Sequence, residues 1–146
     1  FEVRIVANQL EIPKAAYNSS RKQYKSEVFL KLAQDWIKKS KVDRILAITN
    51  VDLYTQPLNF IFGQAQKPGK AAVISIFRLN PKFYGEIFNQ QLYEERILKE
   101  AIHELGHTLG LNHCKDTKCV MVFSNSIFDV DKKASYFCNR CWSEII

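Results

Sequence analysis

Long apolar runs are missing from this chain of 146 residues. No stretch approaches the ~20 apolar residues that a membrane-spanning helix needs, so we expect no membrane association. The first ten residues carry Glu2 and Arg4 where a secretory signal needs an apolar core, which favours a cytoplasmic protein. Internal repeats, low-complexity tracts and long linkers are also absent. The length and the ordinary composition predict a single globular domain over residues 1–146.

Acidic residues are fewer than basic ones, 15 against 21, which leaves a net charge of +6. Basic chains often bind nucleic acid or acidic surfaces. Here the lysines are spread along the chain, with only short runs such as Lys38-Lys39 and Lys132-Lys133. A solvated basic surface is the favoured interpretation, and we expect no nucleic-acid partner.

Histidine is scarce as well: the chain has three, and all of them fall within eleven residues, as His103, His107 and His113. Residues four apart share one face of a helix, so His103 and His107 can offer two nitrogens to one metal ion. Gly110 allows the chain to leave the helix and bring back His113 as a third ligand. Three protein ligands leave the fourth tetrahedral position for water, as in catalytic zinc sites. Glu104 is placed to take a proton from that water.

The four cysteines all lie in the last third of the chain, with the spacing C-x4-C, then eighteen residues, then C-x2-C: Cys114, Cys119, Cys138 and Cys141. Two short-spaced pairs separated by a loop favour a structural zinc site with four thiolate ligands. Two disulfides, for which three connectivities are possible, and free thiols are the alternatives. Cys114 follows His113 directly, so a four-cysteine site would also hold the backbone that presents the third histidine.

Methionine occurs once, as Met121, eight residues after His113. Proteases with this extended histidine motif place a methionine-containing turn beneath the metal, where it packs against the ligand histidines. The alternative is a methionine that fills a gap in the core. The position relative to the histidines favours the turn.

Hydrophobic periodicity predicts strands over residues 1–6, 44–49, 59–64 and 71–77, and helices over 26–39 and 92–109. Ser26 is the expected N-cap of the first helix. The apolar run in 44–49 is typical of a strand that is buried on both faces. The Pro68-Gly69 pair suits a type II turn, which makes 59–64 and 71–77 a hairpin.

The second predicted helix carries the two histidines that are four residues apart. Its apolar residues step by four, three and four, which predicts a buried face made of Leu98, Ile102, Leu105 and Leu109. His103 and His107 would then lie on a flank that faces a cleft. The order of elements predicts an α/β fold, with a mixed, mostly parallel twisted sheet packed on two main helices.

The run from His103 to His113, followed by Cys114-x4-Cys119-x-Met121 and Cys138-x2-Cys141, resembles the signature of the archaemetzincins, also called archaelysins. These are zinc metallopeptidase-like proteins of the metzincin clan. The signature covers residues 101–141, and residues 59–65 are also similar to the segment that this family places before its catalytic helix.

The resemblance implies a compact metzincin-like domain with two zinc ions. In residues 1–110 it places the sheet and the catalytic helix, and in 111–146 an irregular lower lobe organised by the structural zinc. The implied ligands of the catalytic zinc are His103, His107 and His113, with Glu104 as general base. Met121 and Gly110 would support the site, and Cys114, Cys119, Cys138 and Cys141 would hold the structural zinc.

The leading hypothesis is therefore zinc-dependent hydrolysis of a peptide or protein substrate by a monomer. The substrate would lie antiparallel to an edge strand, where backbone hydrogen bonds supply affinity. The candidate substrate-binding residues on that strand are Asn59, Phe60, Gly63 and Ala65. Two alternatives stay open: a non-catalytic or regulated zinc-containing protein that binds peptides, and a basic zinc module that binds nucleic acid.

Overall fold

The computed structural model of the chain describes residues 2–6 and 9–145. Within them it contains four α-helices, which are α1 (Ser26–Lys38), α2 (Gln90–Thr108), α3 (Ile127–Lys132) and α4 (Asn139–Glu144). The strands are β1 (Tyr17–Asn18), β2 (Gln23–Lys25), β3 (Ile45–Thr49), β4 (Leu53–Tyr54), β5 (Gly63–Ala65) and β6 (Ala71–Ser75). Short 3-10 helices lie at Lys14–Ala16, Phe77–Leu79 and Pro81–Tyr84. Among these helices, none has both the length and the apolar character to cross a membrane.

The α/β class that the sequence predicts is confirmed, with the strands divided between two small mixed sheets. One sheet has the order β1-β2-β4 and the other the order β3-β6-β5. Parallel pairing joins β2 to β4 and β3 to β6, whereas β1–β2 and β5–β6 are antiparallel. Among the described residues two strand pairs are thus parallel and two antiparallel, and the longest ladder, from Ile45↔Ala71 to Thr49↔Ser75, is parallel.

Strand β6 is the centre of the fold, because all five of its residues are buried. Val73 belongs to an apolar cluster with Phe29 of α1. On the other face, β6 pairs Ile74 with Gly63, and the Gly63 position faces Glu104 of α2. Since side chains alternate across a strand, α1 and α2 cover opposite faces of this sheet.

The first main helix confirms the predicted periodicity but not the predicted cap. α1 begins at Ser26, and Lys25 occupies the N-cap position without a side-chain hydrogen bond. Ser26 is fully buried, and its hydroxyl donates to Gln64 Oε1 at 2.8 Å. The hydroxyl therefore joins the helix to β5 and does not cap the helix.

Two strand predictions need correction. Residues 2–6 are exposed and form no strand, since no strand among the described residues pairs with them, and Phe1 lies outside the described part of the chain. β3 is present, but it is an edge strand of its sheet and Ile48 is 59% exposed. It is therefore not buried on both faces.

The predicted hairpin is confirmed, with shorter strands than expected. β5 and β6 pair antiparallel from Gly63↔Ile74 to Ala65↔Ala72. The connecting turn is not of type II, because Gly69 does not have the positive φ that this turn requires.

The lower lobe contains the short helices α3 and α4, which its weak periodicity did not reveal. Its core is a small cluster of buried residues: Leu111, Cys114, Cys119, Val120, Met121 and Cys141. Three of these six residues are cysteines, so the packing of this lobe depends on the state of its thiols.

Candidate active site

Helix α2 presents three of the predicted site residues and then ends abruptly. Gly110 has a φ of 93°, and the N–H groups of Gly110 and Leu111 donate to the carbonyls of His107 and Gly106 at 2.9 and 3.1 Å. These two bonds form a Schellman cap, for which glycine is favoured because its left-handed conformation costs little. The turn directs the chain back toward the helix, and His113 thereby meets the histidines of α2.

Two backbone carbonyls orient the histidines of α2. His103 Nδ1–H donates to Val120 O and His107 Nδ1–H donates to Leu111 O, each at 2.8 Å. These bonds assign the proton to Nδ1 and leave each Nε2 with its lone pair. The two Nε2 atoms lie 3.2 Å apart. Two nitrogens bound tetrahedrally at about 2.0–2.1 Å from a zinc ion would be separated by about 3.3 Å, so the imidazoles fit this metal.

His113 completes the cluster. One ring nitrogen from each of His103, His107 and His113 lies within 4.8 Å of the others. The ring of His113 is 4.9 Å from that of His107 and 5.4 Å from that of His103, between centroids. The structure thus brings together all three predicted histidine ligands.

Burial keeps these imidazoles neutral. Desolvation holds the pKa of His103 well below its ordinary value and lowers that of His107 to about 4. The pKa of His113, which is more exposed, is lowered by the same cause and by the charge of Lys67. Neutral imidazole is the form that binds a metal ion, so at neutral pH the cluster does not need to release protons first.

Glu104 lies beside the histidines in the same cleft. Its side chain is buried, and its Oε2 accepts no hydrogen bond from any described residue. Burial, followed by the nearby charge of Glu100, raises the pKa of Glu104 well above its usual value. A buried carboxylate oxygen without a partner is costly unless a ligand or water uses it. This oxygen therefore fits an acceptor for a water molecule between Glu104 and the three imidazoles.

The four thiols converge in the lower lobe. One Sγ from each of Cys114, Cys119, Cys138 and Cys141 lies within 4.8 Å of the others. The distance between Cys114 Sγ and Cys138 Sγ is 3.8 Å, which is far from the about 2.05 Å of a disulfide. Two thiolates at about 2.3 Å from a tetrahedral zinc would be separated by about 3.8 Å.

Backbone donors surround these thiols as they do in thiolate metal sites. Cys119 Sγ accepts from the N–H groups of Met121 at 3.5 Å and Cys138 at 3.3 Å. A hydrogen bond from the backbone of Cys141 is the main cause that lowers the pKa of Cys138 to about 7. Burial raises the pKa of Cys141. The donor set thus fits a zinc ion and favours zinc over the disulfide alternative.

Met121 lies directly beneath the catalytic helix. It is fully buried, and its Sδ packs so closely on Gly106 that a Cβ at that position would collide with it. Its backbone carbonyl accepts from the N–H of Cys114 at 3.0 Å. The residue before it, Val120, supplies the carbonyl that orients His103. This segment therefore supports the histidines from below.

A cleft of about 330 Å³ contains the histidine cluster and is lined by residues of both halves of the chain. Gly63 and Ala65 line it. The carbonyl of Phe62 and the N–H of Gln66 hydrogen-bond to β6. Since backbone groups alternate in direction along a strand, those of Gly63 and Ala65 point to the free edge of β5.

The other two candidate substrate-binding residues do not line this cleft. The carbonyl of Asn59 accepts from Arg21 and Gln23 at 3.0 and 2.8 Å. The ring of Phe60 packs under the guanidinium of Arg78, 4.2 Å from its centroid. Both residues are engaged in contacts that hold the loop before β5.

Comparison with known proteins agrees with this geometry. The family model described as Peptidase family M54 matches residues 4–146. The archaemetzincin of Methanocaldococcus jannaschii is 47% identical over 137 residues, which cover 94% of this chain and 74% of that protein. The archaemetzincin of Methanopyrus kandleri is 44% identical over 140 residues, covering 96% and 75%.

This chain belongs to the archaemetzincin family of zinc metallopeptidases. Solved structures show the same fold. The crystal structure of the Methanopyrus kandleri archaemetzincin has a TM-score of 0.84 at 44% identity and covers 92% of this chain and 71% of that one. The Archaeoglobus fulgidus archaemetzincin complexed with malonate has a TM-score of 0.80 at 41% identity, covering 93% and 78%.

In this archaemetzincin-family chain, the prediction for the buried face of α2 is wrong. Leu98 is 51% exposed, and Ile102, Leu105 and Leu109 are only partly buried. The buried side chains of the helix are instead largely polar: Arg96, Glu100, His103, Glu104 and Thr108. The helix turns these polar side chains toward the sheet and the cleft, where Arg96 pairs with Asp131 and Glu100 pairs with Lys133.

Sequence reasoning missed three charged residues near the site. Lys133 Nζ lies 2.8 Å from Glu100 Oε1, and both side chains are buried. Lys67 lines the cleft with the histidines. Glu100 lies four residues before Glu104 and so shares its helix face, which was visible in the sequence. Rows of charged residues on a helix are, however, usually exposed to solvent. No local pattern relates Lys133 to a residue 33 positions earlier.

Proposed function

We propose that this chain hydrolyses peptide bonds with a zinc ion held by His103, His107 and His113 and with Glu104 as general base. The observation that carries the proposal is the convergence of three imidazoles and one unpartnered buried carboxylate oxygen in a single cleft. When bound there, zinc supplies a Lewis acid that lowers the pKa of a water molecule to about 7 and polarises the scissile carbonyl.

The protein's own groups then transfer the proton and orient the histidine rings. Glu104 accepts a proton from the attacking water and passes it to the leaving nitrogen. The raised pKa of Glu104 suits the role of base, because a carboxylate of higher pKa binds the proton of the attacking water more strongly. The carbonyls of Val120 and Leu111 hold the two α2 imidazoles in place while this occurs.

The substrate binds in extended form against the free edge of β5. The outward backbone groups of Gly63 and Ala65 supply the hydrogen bonds of an added antiparallel strand. A side chain at position 63 would intrude on Glu104, because a Cβ there would lie 2.8 Å from Glu104 Oε1. The glycine thus allows both the carboxylate and a substrate backbone to approach β5.

A second, structural zinc is held by the four cysteine thiolates of the lower lobe. It stabilises the lobe core and fixes Cys114, whose neighbour is the third histidine ligand. The closeness of the four sulfurs, the 3.8 Å between Cys114 Sγ and Cys138 Sγ, and the backbone N–H donors to Cys119 support this assignment. We keep as a prediction that residues 1–110 and 111–146 are two parts of one metallopeptidase domain.

The test separates catalysis from folding and metal binding. Glu104→Gln is expected to retain two zinc equivalents, measured by mass spectrometry of the metal, and to lower the turnover of a peptide library by about 10²- to 10⁴-fold. Glu95→Gln, at an exposed position of the same helix, serves as the matched control and keeps full turnover. Unchanged turnover in Glu104→Gln would refute the role of that residue. Peptide binding without turnover in the wild type would instead favour the non-catalytic alternative.

A further inference from the structure

Lys67 is held at one end of the active-site cleft. It follows the end of β5 by two residues and lines the cleft together with His107 and His113. Its Nζ donates to Asn112 Oδ1 at 2.6 Å, and Asn112 directly precedes His113. The ammonium is therefore tethered to the loop that returns the third histidine. Its charge contributes to the lowered pKa of both His107 and His113, which places it on that side of the cluster.

The charge of Lys67 has no anionic partner among the described residues. The charged side chains that line the cleft are Lys67, Glu100 and Glu104. Glu100 is paired with the buried Lys133, and Glu104 carries the proposed chemistry. The contact of Lys67 with Asn112 orients its ammonium but leaves its charge uncompensated. Lys67 is exposed, so a carboxylate can reach its ammonium from solvent, and the attraction is weakened by salt.

The direction of β5 decides which part of a substrate would meet this cation. β5 starts at Gly63 beside Glu104 and runs toward Lys67, four residues later. A peptide that pairs antiparallel with β5 runs the opposite way. Its residues before the scissile bond therefore lie toward Lys67, and those after the bond lie toward Leu58 and Ile61.

We propose that Lys67 is a specificity-determining residue that selects peptides with an acidic side chain within three residues before the cleaved bond. This proposal rests on the proposed peptidase function and on antiparallel docking along β5. The substrate carboxylate accepts a hydrogen bond from the Lys67 ammonium, and the Asn112 amide holds the ammonium in place for it.

The test uses matched peptides that differ only by Glu or Gln at each of the three positions before the cleaved bond. For the wild type, kcat/KM is expected to be about fivefold to tenfold higher for the Glu peptide at one of these positions, and the preference should weaken in high salt. Lys67→Gln brings the ratio near one. Lys67→Glu reverses it, so that the Gln peptide is cleaved with the higher kcat/KM, which loss of a structural contact alone would not do.

The matched control is Lys70→Glu, an exposed lysine outside the cleft, which keeps the wild-type ratio. A wild-type ratio within twofold at all three positions would overturn the proposal. An equal loss of kcat/KM for both peptides in Lys67→Gln would also overturn it. If no peptide is cleaved, the proposed function fails separately, and the same ratios are read from the Kd values of the labelled peptides by anisotropy.

Discussion

Gly63 is the position where a single added methyl group should impair turnover, with a smaller loss of stability. A Cβ there would lie 2.7 Å from both Glu104 Cγ and the carbonyl oxygen of Val73, where an ordinary contact begins at 3.4 Å. Val73 belongs to the fully buried β6, so its carbonyl cannot yield easily. In Gly63→Ala the side chain of Glu104 must therefore move by about 0.7 Å, which is the shortfall in its contact, and the backbone of β5 must shift to relieve the contact with Val73.

The expected magnitude follows from this displacement. A misplacement of about 1 Å costs roughly 10²-fold in rate, so kcat should fall about 10- to 100-fold. Overpacking of the sheet should also cost about 1–3 kcal/mol of stability, which corresponds to a Tm lower by roughly 2–10 °C for a chain of this length. Steady-state kinetics on a cleaved peptide and calorimetry of the zinc-loaded protein measure the two effects.

The control is another glycine, remote from the cleft. Gly85 has a φ of 74°, and no atom lies within 4 Å of the position of its Cβ. Gly85→Ala should therefore cost about 1–2 kcal/mol of backbone strain and leave kcat unchanged. If Gly63→Ala keeps kcat within twofold of the wild type, or if both variants lose kcat equally, the close approach of Gly63 and Glu104 does not matter for turnover.

Two further predictions concern the lower lobe and the buried ion pair. Cys141→Ser should lose one zinc equivalent and weaken retention of the other about 10- to 100-fold, measured by chelator competition, whereas Ser143→Ala on the same helix should change neither. Lys133→Met should leave Glu100 buried without a counter-charge and cost about 3–5 kcal/mol in thermal or denaturant unfolding. Lys132→Met, at the neighbouring exposed position, should leave the free energy of unfolding unchanged. Adding Glu100→Gln to Lys133→Met should recover part of the lost stability. No recovery would mean that Lys133 and Glu100 are not energetically coupled.

The parts of the fold that local spacing encodes were predictable. The helix over 26–39 and the two strands on either side of Pro68 were predictable, because side-chain periodicity depends only on neighbours in the sequence. The spacing of His103 and His107 likewise predicts that one helix presents both side chains on one face, and Gly110 predicts where that helix ends. These features were predicted because each is decided within a few residues.

The parts that depend on distant partners were not predictable. Ser26 has the residue type of an N-cap, but its hydroxyl is taken by Gln64, which lies 38 residues away. The polar residues along one face of α2 resemble a solvent-facing surface in the sequence, because only the folded chain places Lys133 beside Glu100. Residues 2–6 alternate like a strand, yet alternation alone does not supply the neighbour that a strand needs.

The small cluster of buried cysteines in the lower lobe affects how this protein should be handled. If those thiols hold zinc as proposed, a chelator dismantles the lobe as well as the histidine cluster, so lost activity after chelation identifies neither ion by itself. The rate at which activity returns after zinc is added would then be set by refolding of the lobe and not by zinc binding. Activity should return slowly, and only in a reducing buffer.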